Sequence, residues 1–245
     1  MAAERERMRV HRALALAGVA SRRAAEAMVS DGRVTVNGAP AAVGQLVDPG
    51  DALSVDGKAV RGSEPLRAYL LHKAPGVVST AQDPQGRPTV LDELPDDVRL
   101  YPVGRLDIDT TGALIVTNDG ELAARLMHPS SKAPKTYEVL FRGQVSAATL
   151  RRLRDGVELE DGRTAPARVE AMNRVVPRGT WLQIELTEGR NRQVRRMGDA
   201  VGHRVMRLHR SRYAGIGVQK LAPGRWRPLT RAEWKKLGAM VGLAR

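Results

Sequence analysis

Between Lys58 and Arg67 the chain carries no apolar periodicity, and Gly62, Ser63 and Pro65 interrupt it. Such a stretch does not line a core, so one continuous core along the whole chain is excluded and two domains are expected. The boundaries fall at residues 1–62 for the first, 63–67 for a hinge-like linker and 68–245 for the second. A chain of 245 residues is long enough for a small domain followed by a larger one.

The first part reads as two helices followed by small hairpins. Val10, Ala13, Leu14 and Ala17 have the spacing of one helical face, and Gly18 breaks it. Ser21 then caps a second helix over 22–30, with Ala24, Ala25 and Met28 facing inward and Gly32 ending it. Val34-Thr35-Val36 runs into Asn37-Gly38, a pair that supplies the positive φ angles of a tight hairpin turn. Pro49-Gly50-Asp51 turns the chain again into Leu53-Ser54-Val55. With Arg22 and Arg23 at a helix start, this unit is a candidate RNA-binding module.

Beyond residue 67 strand and helix signals alternate, and several strands lie beside hairpin turns. Short strands are expected at 69–71 and 77–80, a buried one at 113–117, and alternating ones at 137–141 and 181–187, the last facing Leu182, Ile184 and Leu186 inward. An Asp161-Gly162 hairpin is expected within 159–163. Helices are expected at 121–127, from the Ser146 cap to Gly156, from near Asn191, and from the capping box Thr230-Arg-Ala-Glu233, which buries Trp234, Leu237 and Val241. This is an α+β pattern, with a mostly antiparallel sheet flanked by helices.

Lys and Arg number 40 against 27 Asp and Glu, a net charge of +13 that implies an acidic partner, with nucleic acid foremost. The excess sits almost wholly beyond residue 66. The 189–212 segment alone holds eight arginines (190, 192, 195, 196, 204, 207, 210 and 212) and no lysine, against the single carboxylate of Asp199. The planar guanidinium suits phosphate and carboxylate, so this run is a candidate phosphate-binding or active-site surface. There is no cysteine, which excludes disulfides, thiolate metal sites and cysteine nucleophiles. His11, His72, His128, His203 and His209 lack ligand spacing, so no metal is expected. The apolar run 13–20 is too short to span a bilayer, and its basic pair follows it rather than precedes it. A cytoplasmic protein without membrane contact is expected.

Three stretches hold more polar detail than folding requires. In Gly104-Arg105-Leu106-Asp107-Ile108-Asp109-Thr110-Thr111-Gly112 each aspartate suits a turn or cap, and a functional reading makes one of them a nucleophile or base on a rigid loop. Tyr137, at a loop–strand junction, is either a half-buried strand residue or a platform on which a base stacks. In Glu188-Gly189-Arg190-Asn191-Arg192-Gln193-Val194-Arg195-Arg196-Met197, a helix would bury Val194 and Met197 and fan Arg192, Arg195 and Arg196 around its rim.

Gly104-Arg-Leu-Asp107 with Thr-Thr-Gly and Thr117-Asn-Asp-Gly120 resembles the signature of the RsuA/RluB/RluE/RluF family of ribosomal RNA pseudouridine synthases. Leu71-His-Lys-Ala-Pro-Gly76, His128-Pro-Ser, Lys135-Thr-Tyr-Glu138 and the 188–197 stretch match too, in the family's order. Residues 10–55 are similar to the small RNA-binding module of ribosomal protein S-four. The resemblance implies conversion of a uridine in folded rRNA to its C-glycoside isomer without metal or organic cofactor. It implies that Asp107 is the catalytic aspartate, Tyr137 the tyrosine packed on the target base, and Arg195 the basic partner of the carboxylate, with Arg190 and Arg196 close by. Arg105 matches the arginine that holds the flipped-out site open. Arg22, Arg23, Arg190, Arg192 and Arg196 are expected on RNA. Ala113 stands where the family more often has leucine. The 191–195 wording is closer to the large-subunit (23S) branch than to the small-subunit (16S) one. The implied partner is rRNA or a pre-ribosomal subunit, met by a monomer. The rival from another class is a non-catalytic ribosome-assembly factor, which would have no need of Asp107. Extruding a stacked base costs on the order of a few kcal/mol, and stacking on an aromatic ring returns about 1–3 kcal/mol.

Overall fold

A computed structural model describes residues 7–244, so the first six residues and the last residue of the expected spans lie outside the described residues. The chain divides into two compact units. One runs up to Leu66 and includes Asp97–Arg99; the other comprises Arg67–Asp96 and Leu100 onward.

In the first unit β1 (Met8–Arg9) leads into α1 (Val10–Leu16), and α2 (Arg22–Ser30) follows. The Ser21 hydroxyl accepts from the Ala24 N–H at 3.1 Å, the expected cap. Then come β2 (Val34–Val36), β3 (Ala39–Pro40), β4 (Leu46–Val47), β5 (Leu53–Val55) and β6 (Lys58–Ala59). Asn37 and Gly38 take φ of 52° and 84° and turn β2 into β3. Asp56-Gly57 repeats that chemistry at 49° and 75°, so Lys58 and Ala59 pair with β5 as a strand where the sequence suggested featureless linker. Val10, Leu14, Ala25, Val29, Val34 and Val36 form a core of their own. Glu64 belongs to this unit, its carboxylate accepting from the Arg99 N–H at 3.2 Å.

The second unit contains β7 (Ala68–Lys73), β8 (Tyr101–Pro102), β9 (Thr111–Thr117), α3 (Gly120–Met127), β10 (Lys135–Arg142), α4 (Ala147–Asp155), β11 (Arg168–Ala171), β12 (Gly179–Leu186), α5 (Gln193–Ala200), β13 (Val205–Tyr213), β14 (Ile216–Gly217), β15 (Trp226–Pro228) and α6 (Arg231–Met240). Its sheet runs β11-β12-β10-β13-β9-β7-β15, with β8 on β9 and β14 on β13. Neighbours are antiparallel except at one seam, where β13 and β9 run parallel and pair His209 with Thr111 and Arg210 with Gly112. β7 is buried along its whole length and β9 from Gly112 onward, as central strands must be.

Each half of the sheet has its own core. Leu70, Ile115, Leu122, Leu126, Tyr213 and Leu237 pack on the β7–β9 side. Val139, Phe141, Leu153, Leu182, Ile184, Val194 and Met197 pack on the β10–β12 side. Burial of each such side chain contributes about 1.5–3 kcal/mol. Leu182, Ile184 and Leu186 face inward as alternation predicts, and α5 buries Val194 and Met197.

Four expectations need correction. Ala24, expected to face inward, is exposed, because Ala25 and Val29, four residues apart on one face of α2, supply its buried side. Residues 77–80 make only a single bridge, Val78 to Thr89, because Pro88 has no N–H to extend a ladder and Ser79 bonds the main chain of Leu106 instead. The Asp161-Gly162 turn forms without flanking strands, since the carbonyls of Asp161, Gly162 and Arg163 accept from the Arg190 guanidinium. In the last helix Leu237 is fully buried, but Trp234 is only partly so and Val241 lies just past the helix end. No helix of the described residues is long and apolar enough to cross a membrane.

Candidate active site

The 104–112 loop leaves β8 and enters β9 beside the parallel seam. Gly104 (φ 78°) starts it, and Leu106 anchors it by burial. The Ser79 hydroxyl donates to the Leu106 carbonyl (2.9 Å) and accepts from its N–H (3.1 Å), while the Gly76 N–H bonds the Ile108 carbonyl (2.8 Å). Beneath the loop lies Lys73, only 1% exposed. Its ammonium donates to the carbonyls of Ala74 (3.0 Å), Ile108 (3.2 Å) and Thr110 (2.9 Å). Burial pulls the Lys73 pKa down to about 8, against the opposing pull of Asp109 and Asp107. At the loop's exit Gly112 has φ 117°, and a Cβ there would stand 2.2 Å from the Arg210 carbonyl oxygen. Only glycine permits the seam to close.

This frame presents Asp107. Its Oδ2 lies 3.2 Å from Arg192 Nη1 and 3.6 Å from Arg195 Nε; Arg195 Nη2 bonds Asp109 Oδ2 at 2.8 Å. Both guanidiniums come from the start of α5, where Arg192 sits before the first turn at φ 48°, a left-handed conformation that costs a non-glycine residue about 1–3 kcal/mol. The two partners differ in environment. The Arg195 side chain is 12% exposed and that of Arg192 is 51%. An exposed pair contributes only about 0–1 kcal/mol, so the desolvated Arg195 carries more of the electrostatic weight despite its longer distance. Arg192 is the partner free to move.

Asp107 faces a cavity of about 70 Å³ shared with Arg105, Thr110, Tyr137, Leu186, Arg192, Val194 and Leu208. That volume holds a few waters rather than a nucleoside, so a substrate must displace a wall, and Arg192, paired with the carboxylate, is an exposed one. Tyr137, at the start of β10 opposite Ile184 and Arg210, is half-buried. Arg105 is exposed at the cavity and has no ion-pair partner among the described residues. The Thr110 hydroxyl is buried there without a hydrogen-bond partner.

Other arginines of the run are held within the chain. Arg190 spans the 161–163 turn and lies 3.4 Å from Glu188; Arg196 bonds Asp161, whose carboxyl is held down at about 2 chiefly by that guanidinium. Gln193, buried, ties the Arg190 N–H (3.1 Å) to Glu188 and so shapes the turn. Arg210 is buried, donating to the Ala113 carbonyl at 2.8 Å and stacking 4.8 Å from the Tyr213 ring centroid. Lys73, Thr110 and Gln193 were not singled out by sequence; only the apolar strand ahead of Lys73 hinted that a lysine there would be buried. In the first unit Arg22 lines a cavity with Arg7, Arg9, His11, Arg12 and Glu26, while Arg23 is exposed beside it on α2. No group of three or more His, Asp or Glu among the described residues is placed to hold a metal ion.

Residues 67–200 match the RNA pseudouridylate synthase family, and residues 8–53 the S4 domain. Ribosomal large subunit pseudouridine synthase B of Bacillus subtilis is 44% identical over 238 residues, covering 95% of this chain and 96% of its own. The protein of that name from Salmonella typhimurium is 41% identical over 249 residues, covering 96% and 84%. A solved pseudouridylate synthase structure superposes with a TM-score of 0.68 at 27% identity, covering 94% of this chain and 99% of its own. The Asp107 loop, Tyr137 and the α5 arginines all fall inside the matched span, and the chain belongs to the RNA pseudouridylate synthase family.

Proposed function

We propose that this chain converts a uridine of large-subunit (23S) ribosomal RNA to pseudouridine, with Asp107 as the nucleophile on a flipped-out nucleotide. The observation that carries the reading is Asp107 itself, a carboxylate flanked by Arg192 and Arg195 at the edge of a cavity that also holds Tyr137. The reaction is an isomerisation. The N1–C1′ bond breaks, C5 bonds to C1′ and the C5 proton is exchanged for one on N1, so atoms balance without a co-reactant. A detached uracil has to be kept in place between these steps, and a narrow cavity does so.

In this reading Arg195, largely desolvated, holds the Asp107 carboxylate in place, and Arg192 swings outward as the nucleotide enters. Tyr137 stacks on the base, and Arg105 occupies the space the base vacates. The unpaired Thr110 hydroxyl bonds the polar edge of the uracil. Arg22 and Arg23 contact RNA from the first domain, and Arg190 and Arg196 stiffen the wall that the RNA meets. In this reading residues 1–62 are the RNA-binding domain and 68–245 the catalytic domain, with 63–67 as the linker. The chain works as a cytoplasmic monomer on rRNA, free or within a pre-ribosomal particle. The large-subunit target is supported by the relatives of that name in Bacillus subtilis and Salmonella typhimurium.

The test is Asp107→Asn and Asp107→Ala on transcribed, unmodified 23S rRNA. Pseudouridine formation is expected to vanish in both while RNA affinity stays within about threefold, since no phosphate contact is lost. Turnover retained in both variants overturns the nucleophile, and loss of affinity parallel to loss of product favours a binding role for the carboxylate.

A further inference from the structure

Beside the Asp107 cavity lies a second, wider one of about 640 Å³, lined by Asp109, Arg142, Arg192, Arg195, Asp199, Arg204, Val205 and Met206. Arg192 and Arg195 point their charge toward Asp107 and Asp109. Arg142 and Arg204 do not take part in that network. The Arg142 N–H donates to the Arg204 carbonyl at 2.9 Å, one step beyond the Phe141–Val205 pair, so the two arginines face each other across adjacent β10 and β13 backbones. Like charges placed opposite each other destabilise a strand pair. Neither side chain forms an ion pair or hydrogen bond among the described residues, and both are exposed. Folding gives no reason for this pair.

We propose that Arg142 and Arg204 form a phosphodiester-binding site, which holds the RNA backbone flanking the uridine bound at Asp107. The inference rests on the reading of the chain as an RNA pseudouridine synthase. Three features select a nucleotide rather than a lone anion. The cavity adjoins the Asp107 site through a shared wall, Arg192, which lines both. Its floor includes Met206, an apolar side chain 45% exposed, which suits a ribose or base face between two cations. The carboxylates on its rim, Asp109 and Asp199, are outnumbered by four guanidiniums, and Asp109 is already occupied by Arg195. A nucleotide entering at Asp107 would displace Arg192 from the carboxylate toward this second cavity. A third cation then reaches the phosphate as the base arrives.

The test compares wild type, R142Q/R204Q and a control, R231Q/K235Q, which removes the same charge from the exposed face of α6. The probe is transcribed 23S rRNA, with affinity followed by filter binding across KCl concentrations and pseudouridine formation followed in parallel. In R142Q/R204Q the affinity at 0.15 M salt is expected to fall roughly tenfold or more, and the slope of log K against log salt to flatten by about 1.5, at 0.7–0.9 per lost contact. Because the pair is repulsive in the free protein, its melting temperature is expected to hold or rise. An unchanged slope, an equal flattening in the control, or a lowered melting temperature overturns the site. If wild type makes no pseudouridine while R142Q/R204Q still shows this flattening relative to it, the enzymatic reading is overturned and the phosphate site is supported.

Discussion

At the scale of single residues, Asp107 and the lysine beneath its loop are unequally visible in the sequence. Asp107 and Tyr137 sit in stretches with more polar detail than a fold needs, and that excess is legible. Lys73 reads as the end of an ordinary strand, because its role depends on carbonyls 35 and 37 residues away. Lys73→Met is expected to remove a donor from the carbonyls of Ala74, Ile108 and Thr110, the last of them buried, and to destabilise the chain by about 1–3 kcal/mol. The freed loop should lower pseudouridine formation at saturating RNA at least tenfold. The pH dependence has a definite sign. The folded pKa is about 8 and the ordinary value 10.5, so the unfolded chain holds more protons between them. This group's contribution to stability therefore rises with pH across that window, and the cost of the buried ammonium is fully present below it. Denaturant titrations at pH 7.5 and 10 should show wild type gaining on Lys73→Met. Activity should move the other way above pH 8, because a neutral amine has two N–H groups for three carbonyls.

At the scale of elements, local chemistry announced what local chemistry builds. Caps and turns such as Ser21, Asn37-Gly38, Ser146 and Thr230 form where the sequence puts them. The longest strand, β13, was hidden. Its arginines read as one phosphate-binding run with those of α5, whereas Arg210 is buried in the seam and only Arg207 and Arg212 are exposed. Burial of Arg210 depends on the Ala113 carbonyl that β9 brings to it, which periodicity does not encode. The parallel seam is equally silent in sequence, and it is where the Asp107 loop meets the sheet. A cap gives the sharper prediction. Glu233 pairs with Arg227 at 2.6 and 2.7 Å and accepts from the Thr230 N–H at 2.9 Å, at the start of a helix that buries Leu237. The Arg227 guanidinium holds its carboxyl down at about 2. Its contribution is therefore complete above the ordinary value of 4.5 and lost as pH falls toward 2. Glu233→Gln is expected to cost about 1–2 kcal/mol at pH 7. Urea melts at pH 7 and pH 2.5 should show that gap narrowing in acid.

At the scale of the whole molecule, net charge and function are distributed differently from what the totals suggest. The first domain is almost neutral in sum, yet Arg7, Arg9, Arg12 and Arg22 gather around one cavity with Glu26 as its lone carboxylate. Local concentration of charge, rather than the total, decides whether a surface attracts a polyanion. A contact made by this domain, outside the Asp107 site, is made equally in the ground state and the transition state, so losing it weakens binding without slowing the chemical step. Arg22→Gln with Arg23→Gln is therefore expected to raise the RNA concentration for half-maximal single-turnover rate by roughly three- to tenfold, about 1 kcal/mol for a phosphate contact. The rate reached at saturating RNA should stay within about twofold of wild type. Both side chains are exposed on α2 and neither supplies the Ser21 cap, so stability should be untouched. Single-turnover measurements across RNA concentration separate the two quantities. A drop in the saturating rate with an unchanged midpoint would mean that the first domain acts on the chemistry, and the division of labour between binding unit and catalytic unit would fall.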